Sequence, residues 1–514
     1  MREILFIIIL FFCCHLLVAQ DDGGFGFSRK KKNEYTTNFQ SANWGNIHKK
    51  GGNVLANIII AQDEDQFYTW SGYDGYYYES KPILRAFRHN GNQVYSIEIE
   101  DEYVRFIHFD NQLLFVSKSE SESGEIIINI QKISKRDGTF GAKKQLFSSE
   151  KVTRTDFDPK TFNYTISKDN KHLVVTLLEK EISGNAADAP NNVSIISLDT
   201  KLNISWQRED YELSTGQSFH LLSMVVGNDG TLFLGTQIFD KATDIFEGHT
   251  IKLFILDLQG KRIREQNLEY WGLTIVDLVL KIDRGRVLAT GLYNGTANYS
   301  TVKGVLLLEI DSYHNEYKRL YSDDIPLEII GEFIEKRKVE PLKELRQVYL
   351  NNVLLSDDGA ITLCIQEGNR TPLYGRYPLT RLLTIDDSSP EPHSYGNLLV
   401  IKLSSTGRMM FTKVIKTKLT TSFTQQRMGA YSAFNFNGDT YLFYYKGRFP
   451  SRSNPIIKTK ISDRGTITSE KFLKSSQPKL FICPRFFSQS VKNGSLILYA
   501  QMTTKFRFGN LQIK

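Results

Sequence analysis

The sequence predicts an all-β fold, a β-propeller of four-stranded antiparallel blades, and three observations carry that prediction. The composition favours strands: 33 Phe and 25 Tyr, with many Val, Ile and Thr, suit a pleated surface. An apolar run, a tight polar turn and a second apolar run recur, as in "VVGNDGTLFLGTQIFDK" (225–241), "VLKIDRGRVLATGLYNG" (279–295), "LLSDDGAITLCIQE" (354–367) and "AFNFNGDTYLFYYKG" (433–447). A second series of turns is equally regular: "RHNGNQ" (88–93), "SKRDGT" (134–139), "LQGKR" (258–262), "SSTGR" (404–408) and "SDRGT" (462–466). Gly, Asn and Asp supply the positive φ that two-strand turns require.

The chain opens with "MREILFIIILFFCCHLLVAQDDGG". Arg2, an apolar run over Ile4–Val18 and Ala19-Gln20 before an acidic start read as a secretory signal peptide over 1–20. The run is shorter than a membrane span needs. An exported chain is expected, periplasmic, associated with the outer envelope or secreted, with no transmembrane segment after cleavage. Residues 21–50 are polar, and basic at "SRKKK" (28–32), and read as a tether. One strand, "EYTTNFQ" (34–40), is expected within it.

From about residue 54 the unit repeats as strand, tight turn, strand, longer loop, strand, tight turn, strand. Units begin near 54, 102, 160, 219, 273, 348, 427 and 481. One four-stranded sheet cannot bury both faces, whereas a ring of such sheets can, and it leaves no long bare edge. Tandem sandwiches or paired barrels would not require one order of turns eight times over. The last unit offers three strands, so 34–40 is expected to supply its fourth and close the ring. Eight blades are expected over 51–514, with seven plus an addition as the alternative. Between units five and six, "DDIPLEIIGEFIEKRKVEPLKELRQV" (323–348) carries Leu327, Ile330 and Ile334 at helical spacing with Ile329 and Phe333 alongside. A short helical insertion is expected there.

In this pattern the sequence resembles the secreted bacterial β-propeller repeat proteins, through hairpins such as "GNDGTLFLGTQ", "SDDGAITLCIQ" and "DRGRVLATGLY". The resemblance covers most of 54–514 and concerns the fold. It implies a scaffold that presents loops for binding, with enzymes in a minority.

Charge and cysteine content exclude several function classes. A net charge of +7 spread over 514 residues gives no concentrated basic footprint, so no nucleic-acid partner is expected. The "RKKK" tether could sit by an anionic membrane surface as a peripheral contact. Beyond the leader only Cys364 and Cys483 remain, both in apolar strand contexts, too few for a disulfide framework. They read as small buried hydrophobes, with a single bridge between them left open. No metal-binding His or Cys pair, no nucleophile elbow and no sialidase-type box appears. No cofactor and no metal are therefore expected, and no catalytic residue is assigned.

Loop lengths point to one face. In such a blade the first and third turns share a face, and the middle loop and the link to the next blade share the other. The turns are tight and the middle loops are long and divergent, as recognition surfaces are. Two of these loops supply the expected binding residues. One carries Tyr73, Tyr76, Tyr77 and Tyr78 after Trp70, a paratope-like composition that also suits sugar stacking. The other, 366–397, carries Arg370, Tyr374, Arg376, Tyr377 and Arg381, typical interface anchors. The expected function is a non-enzymatic scaffold for a protein partner or complex of the cell envelope. A carbohydrate-binding or carbohydrate-active propeller, hydrolase or lyase, is the alternative, with a glycan as ligand.

Overall fold

The computed structural model describes residues 36–37, 40, 42–49, 58–71, 82–149, 162–179, 192–213, 218–239, 249–268, 273–295, 301–311, 317–334, 344–346, 348–369, 393–417, 419–421, 431–445, 454–473, 480–484, 487–489, 495–501 and 505–512. Within the unit Asn38–Lys514 the chain makes eight antiparallel blades arranged in a ring. Blade one pairs Ile58–Gln62, Gln66–Ser71, Ile83–Arg88 and Gln93–Glu98 in that order. Blade two spans 102–149, blade three 162–212, blade four 218–267 and blade five 274–324. Blade six spans 348–415, blade seven 432–473 and blade eight 481–511.

The first strands of neighbouring blades touch one another, which makes them the innermost strands. In five of them a bulge interrupts the pairing, between Ile59 and Ala61, Tyr103 and Arg105, Leu221 and Ser223, Ile275 and Asp277, and Leu350 and Asn352. A bulge bends and twists the strand that carries it, which suits a strand crowded at the axis.

Blade eight corrects the expected closure. Its inner strand is split into Phe481–Ile482 and Ser488–Gln489, followed by Leu496–Gln501 and Lys505–Leu511. The outer position is filled by Asn43–Trp44 and His48–Lys49, not by 34–40. The propeller thus includes part of the stretch read as tether. Gln40 donates its N–H to Phe472 O of blade seven, so the chain reaches blade eight only after residue 40. "NWGNIHK" has weaker strand propensity than "EYTTNFQ", but its side chains fit: Trp44 lies over Gly509, and Gly45 packs against Gly91.

The tight turns do more than reverse the chain. A Cβ at Gly260 (φ 72) would lie 2.4 Å from Trp206, so the third turn of blade four seats its backbone on the outer strand of blade three. Gly138 over Tyr95, Gly407 over Leu320 and Gly465 over Phe411 repeat that seating. In blade three Leu202 takes the left-handed backbone instead (φ 65) and buries its side chain beside Leu146 and Phe147.

Side chains then reach the turn carbonyls of the next blade. Gln66 donates to Lys135 O (2.8 Å), Gln112 to Thr200 O (2.9 Å), Arg208 to Gly260 O (3.0 Å) and Arg264 to Asp311 O (2.6 Å). Lys402 donates to Gly438 O (2.6 Å) and Asn510 to His89 O (3.2 Å). Each such bond contributes on the order of 1 kcal/mol net.

The helical insertion is α1 (Leu327–Ile334). Ile330 and Phe333 face the core of blades five and six, and Ile329 and Ile334 pack at its margin. Leu327, at helical spacing with Ile330 and Ile334, is nevertheless 60% exposed. It is the first helical residue, and a helical side chain leans toward the N-terminus, here past the end of the packed surface. Asn397 caps the contact by donating to Phe333 O (2.6 Å). Cys364 and Cys483 are buried and form no disulfide, and burial pushes the Cys364 thiol up to about 12.

Candidate functional site

The expected binding residues Tyr73, Tyr76, Tyr77, Tyr78, Arg370, Tyr374, Arg376, Tyr377 and Arg381 lie outside the described residues, as do 1–35 with the expected leader. What the structure gives for that face is the bounds of its strands. The second strand of blade one ends at Ser71 and the third begins at Ile83. The corresponding strands of blade six end at Asn369 and begin at His393, and those of blade three end at Glu179 and begin at Asn192. On the opposite face Phe109 and Gln112 are joined by Asp110 and Asn111, and Asp283 and Arg286 by Arg284 and Gly285. Long connections therefore share one face and tight turns the other.

On that tight-turn face the described residues form a groove of about 1160 Å³ over blades one to three. The first turn of blade one (Asp63, Glu64, Asp65), Arg88, His108, Asn111 and the Lys135–Arg136 turn line it. Sequence reasoning took these segments as turns alone. The available signal was the density of charge in "DEDQ" (63–66) and "KRD" (135–137).

Asp63 organises the floor. Its carboxylate lies 2.7 Å from Lys135 Nζ and accepts the N–H of Asp65 and Gln66 (both 2.9 Å) and the Tyr68 hydroxyl (3.1 Å). Burial works to raise the Asp63 pKa. The Lys135 ammonium and the two N–H groups outweigh it and hold the carboxyl below its usual value. Lys135 also bonds Asn111 Oδ1. His108 is pushed below its ordinary value, first by burial and then by Lys135, so its imidazole is neutral at pH 7. Burial likewise raises the Tyr68 phenol.

The groove is therefore a held electrostatic frame and not a nucleophile with its base. Three carboxylates (Asp63, Glu64, Asp65) oppose three cations (Arg88, Lys135, Arg136), so its charge selects neither anions nor cations. A second recess of about 630 Å³ lies on the same face, between Lys168, Asp169, Asn228, Asp229 and Arg284. Among the described residues no three His, Cys, Asp or Glu side chains converge to hold a metal, and no helix is long and apolar enough to cross a membrane.

No protein-family model matches the chain, and no curated protein is similar to it in sequence. Solved structures are similar in fold. Prolyl oligopeptidase B from Galerina marginata is 10% identical with a TM-score of 0.41, over 90% of this chain and 55% of that one. The polysaccharide lyase Uly1 is 9% identical with a TM-score of 0.40, over 90% of this chain and 100% of that one. The β-propeller domain of the Trilobed protease from Pyrococcus furiosus is 9% identical with a TM-score of 0.37, over 80% and 95%. The chain spans about half the length of the prolyl peptidases it matches. The peptidase and lyase activities are those proteins' own. The resemblance to β-propeller repeat proteins holds at the level of the fold.

Proposed function

We propose that the chain is a non-enzymatic propeller scaffold, exported by its leader, that holds a protein partner of the cell envelope on its long-connection face. The asymmetry of connections supports this reading. Tight turns tie the blades together on one face through the backbone carbonyls described above. The other face carries connections such as 72–82, 180–191 and 370–392, whose length is not needed to reverse a strand. Rigid strands presenting long, unlike loops are the usual arrangement for recognition. The Tyr cluster at 73–78 and the Arg/Tyr cluster at 370–381 are its proposed anchors.

The test is crosslinking in intact cells of the source organism, with a C-terminally tagged full chain. One stoichiometric envelope protein, lost when 370–392 is trimmed, is the expected result. No partner above background, together with binding of the purified chain on a glycan array, would replace this reading with the carbohydrate one.

A further inference from the structure

The strand that closes the ring carries a titratable ring in an unusual setting. His48 pairs with Phe506 in the outer ladder of blade eight. Its imidazole packs edge-on to Phe87 of blade one (5.0 Å between centroids) and against Phe506 (5.4 Å). Its Nε2 lies 3.4 Å from Gly91 O, so in the neutral ring Nε2–H donates to that carbonyl and Nδ1 is the nitrogen left to take a second proton.

The charges acting on the ring are both guanidinium. Arg85, buried on the third strand of blade one, stacks on the Phe506 ring at 5.3 Å. Arg507 of blade eight reaches Gly45 O with Nε (3.1 Å) and Nη2 (2.6 Å) and lies 5.4 Å from the Trp44 ring. Beside His48 on its own strand is Lys49, whose ladder partner is Lys505. Further along blade one, Arg88 is exposed and His89 turns to Asp63 O (2.9 Å).

We propose that residues 43–49 form an acid-sensitive clasp: protonation of His48 sets a third positive charge between Arg85 and Arg507, and the closing strand leaves blade eight while the other blades stay folded. The sign follows from the surroundings. Burial first, and then Arg85 and Arg507, lower the folded pKa of His48 beneath its ordinary 6.5, against the Gly91 bond. The unfolded or detached strand therefore binds the proton more readily. The contribution of the clasp is intact above about pH 6.5 and is lost as pH falls from there through the folded pKa. Opening bares the hydrogen-bonding edge of Lys505–Leu511, a template for strand addition.

Hydrogen–deuterium exchange of the full chain at pH 7.5 and pH 5, corrected for intrinsic rates, tests this. Peptides covering 43–49 and 505–511 should lose protection at the lower pH, about tenfold for each unit by which the folded pKa is displaced. Peptides of blade four should not change. His48→Phe, which keeps the aromatic packing, should remove the pH dependence. His48→Gln, which keeps a donor for Gly91 O, carries the same test should the Phe variant not fold. The proposal is overturned by wild-type protection that is independent of pH, by a variant that keeps the wild-type drop, or by all blades losing protection together.

Discussion

The seam between blades eight and one and the seam between blades four and five do the same job with different chemistry. At the four–five seam the core is mostly aliphatic: Leu222, Leu253, Ile255, Leu278, Leu280, Leu306 and Leu308, with Phe233 and Tyr293 its buried aromatic members among the described residues and Tyr317 at its edge. The core that contains the closing seam holds Phe67, Phe87, Phe443, Phe472, Phe487, Tyr499, Phe506 and Phe508, with Trp44 at its edge. Phe508 alone meets Phe67, Phe87 and Tyr499 at 4.9, 5.0 and 5.2 Å.

Chain connectivity explains the difference. Across the four–five seam the Arg264–Asp311 bond joins residues 47 apart, whereas across the eight–one seam Asn510–His89 joins residues 421 apart. By loop-closure scaling the longer connection costs about 2 kcal/mol more to bring together. Aromatic pairs add about 0.5–1.5 kcal/mol each beyond their buried area, which offsets that cost. Blade eight takes its outer strand from residues 43–49 and the rest from 481–511, so pairing and aromatic contact join its two parts where no peptide link does.

The largest test of this contrast removes the clasp. Deleting residues 1–49 should leave the edge of Lys505–Leu511 bare and drive association through it; light scattering of the purified protein should show species larger than a monomer, and a stable monomer would contradict the account. Phe508→Ala should cost about 3–5 kcal/mol in urea unfolding. Leu306→Ala at the four–five seam should fall nearer the lower end of about 2–5 kcal/mol, and equal losses would remove the distinction between the seams. The third-turn seating is sharpened by a pair of glycines. Gly260→Ala should lose more stability than Gly285→Ala, because both have positive φ but only Gly260 faces a neighbour within 4 Å. Gly285→Ala should cost only about 1–2 kcal/mol from its backbone. The smallest effect is chemical: the buried Cys364 thiol, pushed up to about 12, should resist alkylation by iodoacetamide at pH 8 until the protein is unfolded.

Most of the fold was legible because its signals are local. The hairpin of "VVGNDGTLFLG" announces itself within a dozen residues, and the observed first strands at Glu102, Phe162, Ser218, Thr274, Val348 and Phe481 begin within two residues of where the turn pattern set them. The helix was legible for the same reason, although its first residue, Leu327, follows the periodicity and still faces solvent. The groove was not legible. Asp63 and Lys135 are 72 positions apart, and only packing of blade one against blade two brings them to 2.7 Å.

By itself, then, the sequence determined the repeat and the division into a tight-turn face and a long-connection face, and it favoured eight blades over seven. Each of these follows from backbone conformations and side-chain alternation that a dozen residues encode. Only the tertiary structure decided which segment closes the ring. "EYTTNFQ" has the better strand propensity, but "NWGNIHK" places Trp44 over Gly509, Gly45 against Gly91 and His48 between Phe87 and Phe506. Those contacts join residues hundreds of positions apart, and contact between distant surfaces outweighs local preference where a strand must fit an edge that already exists.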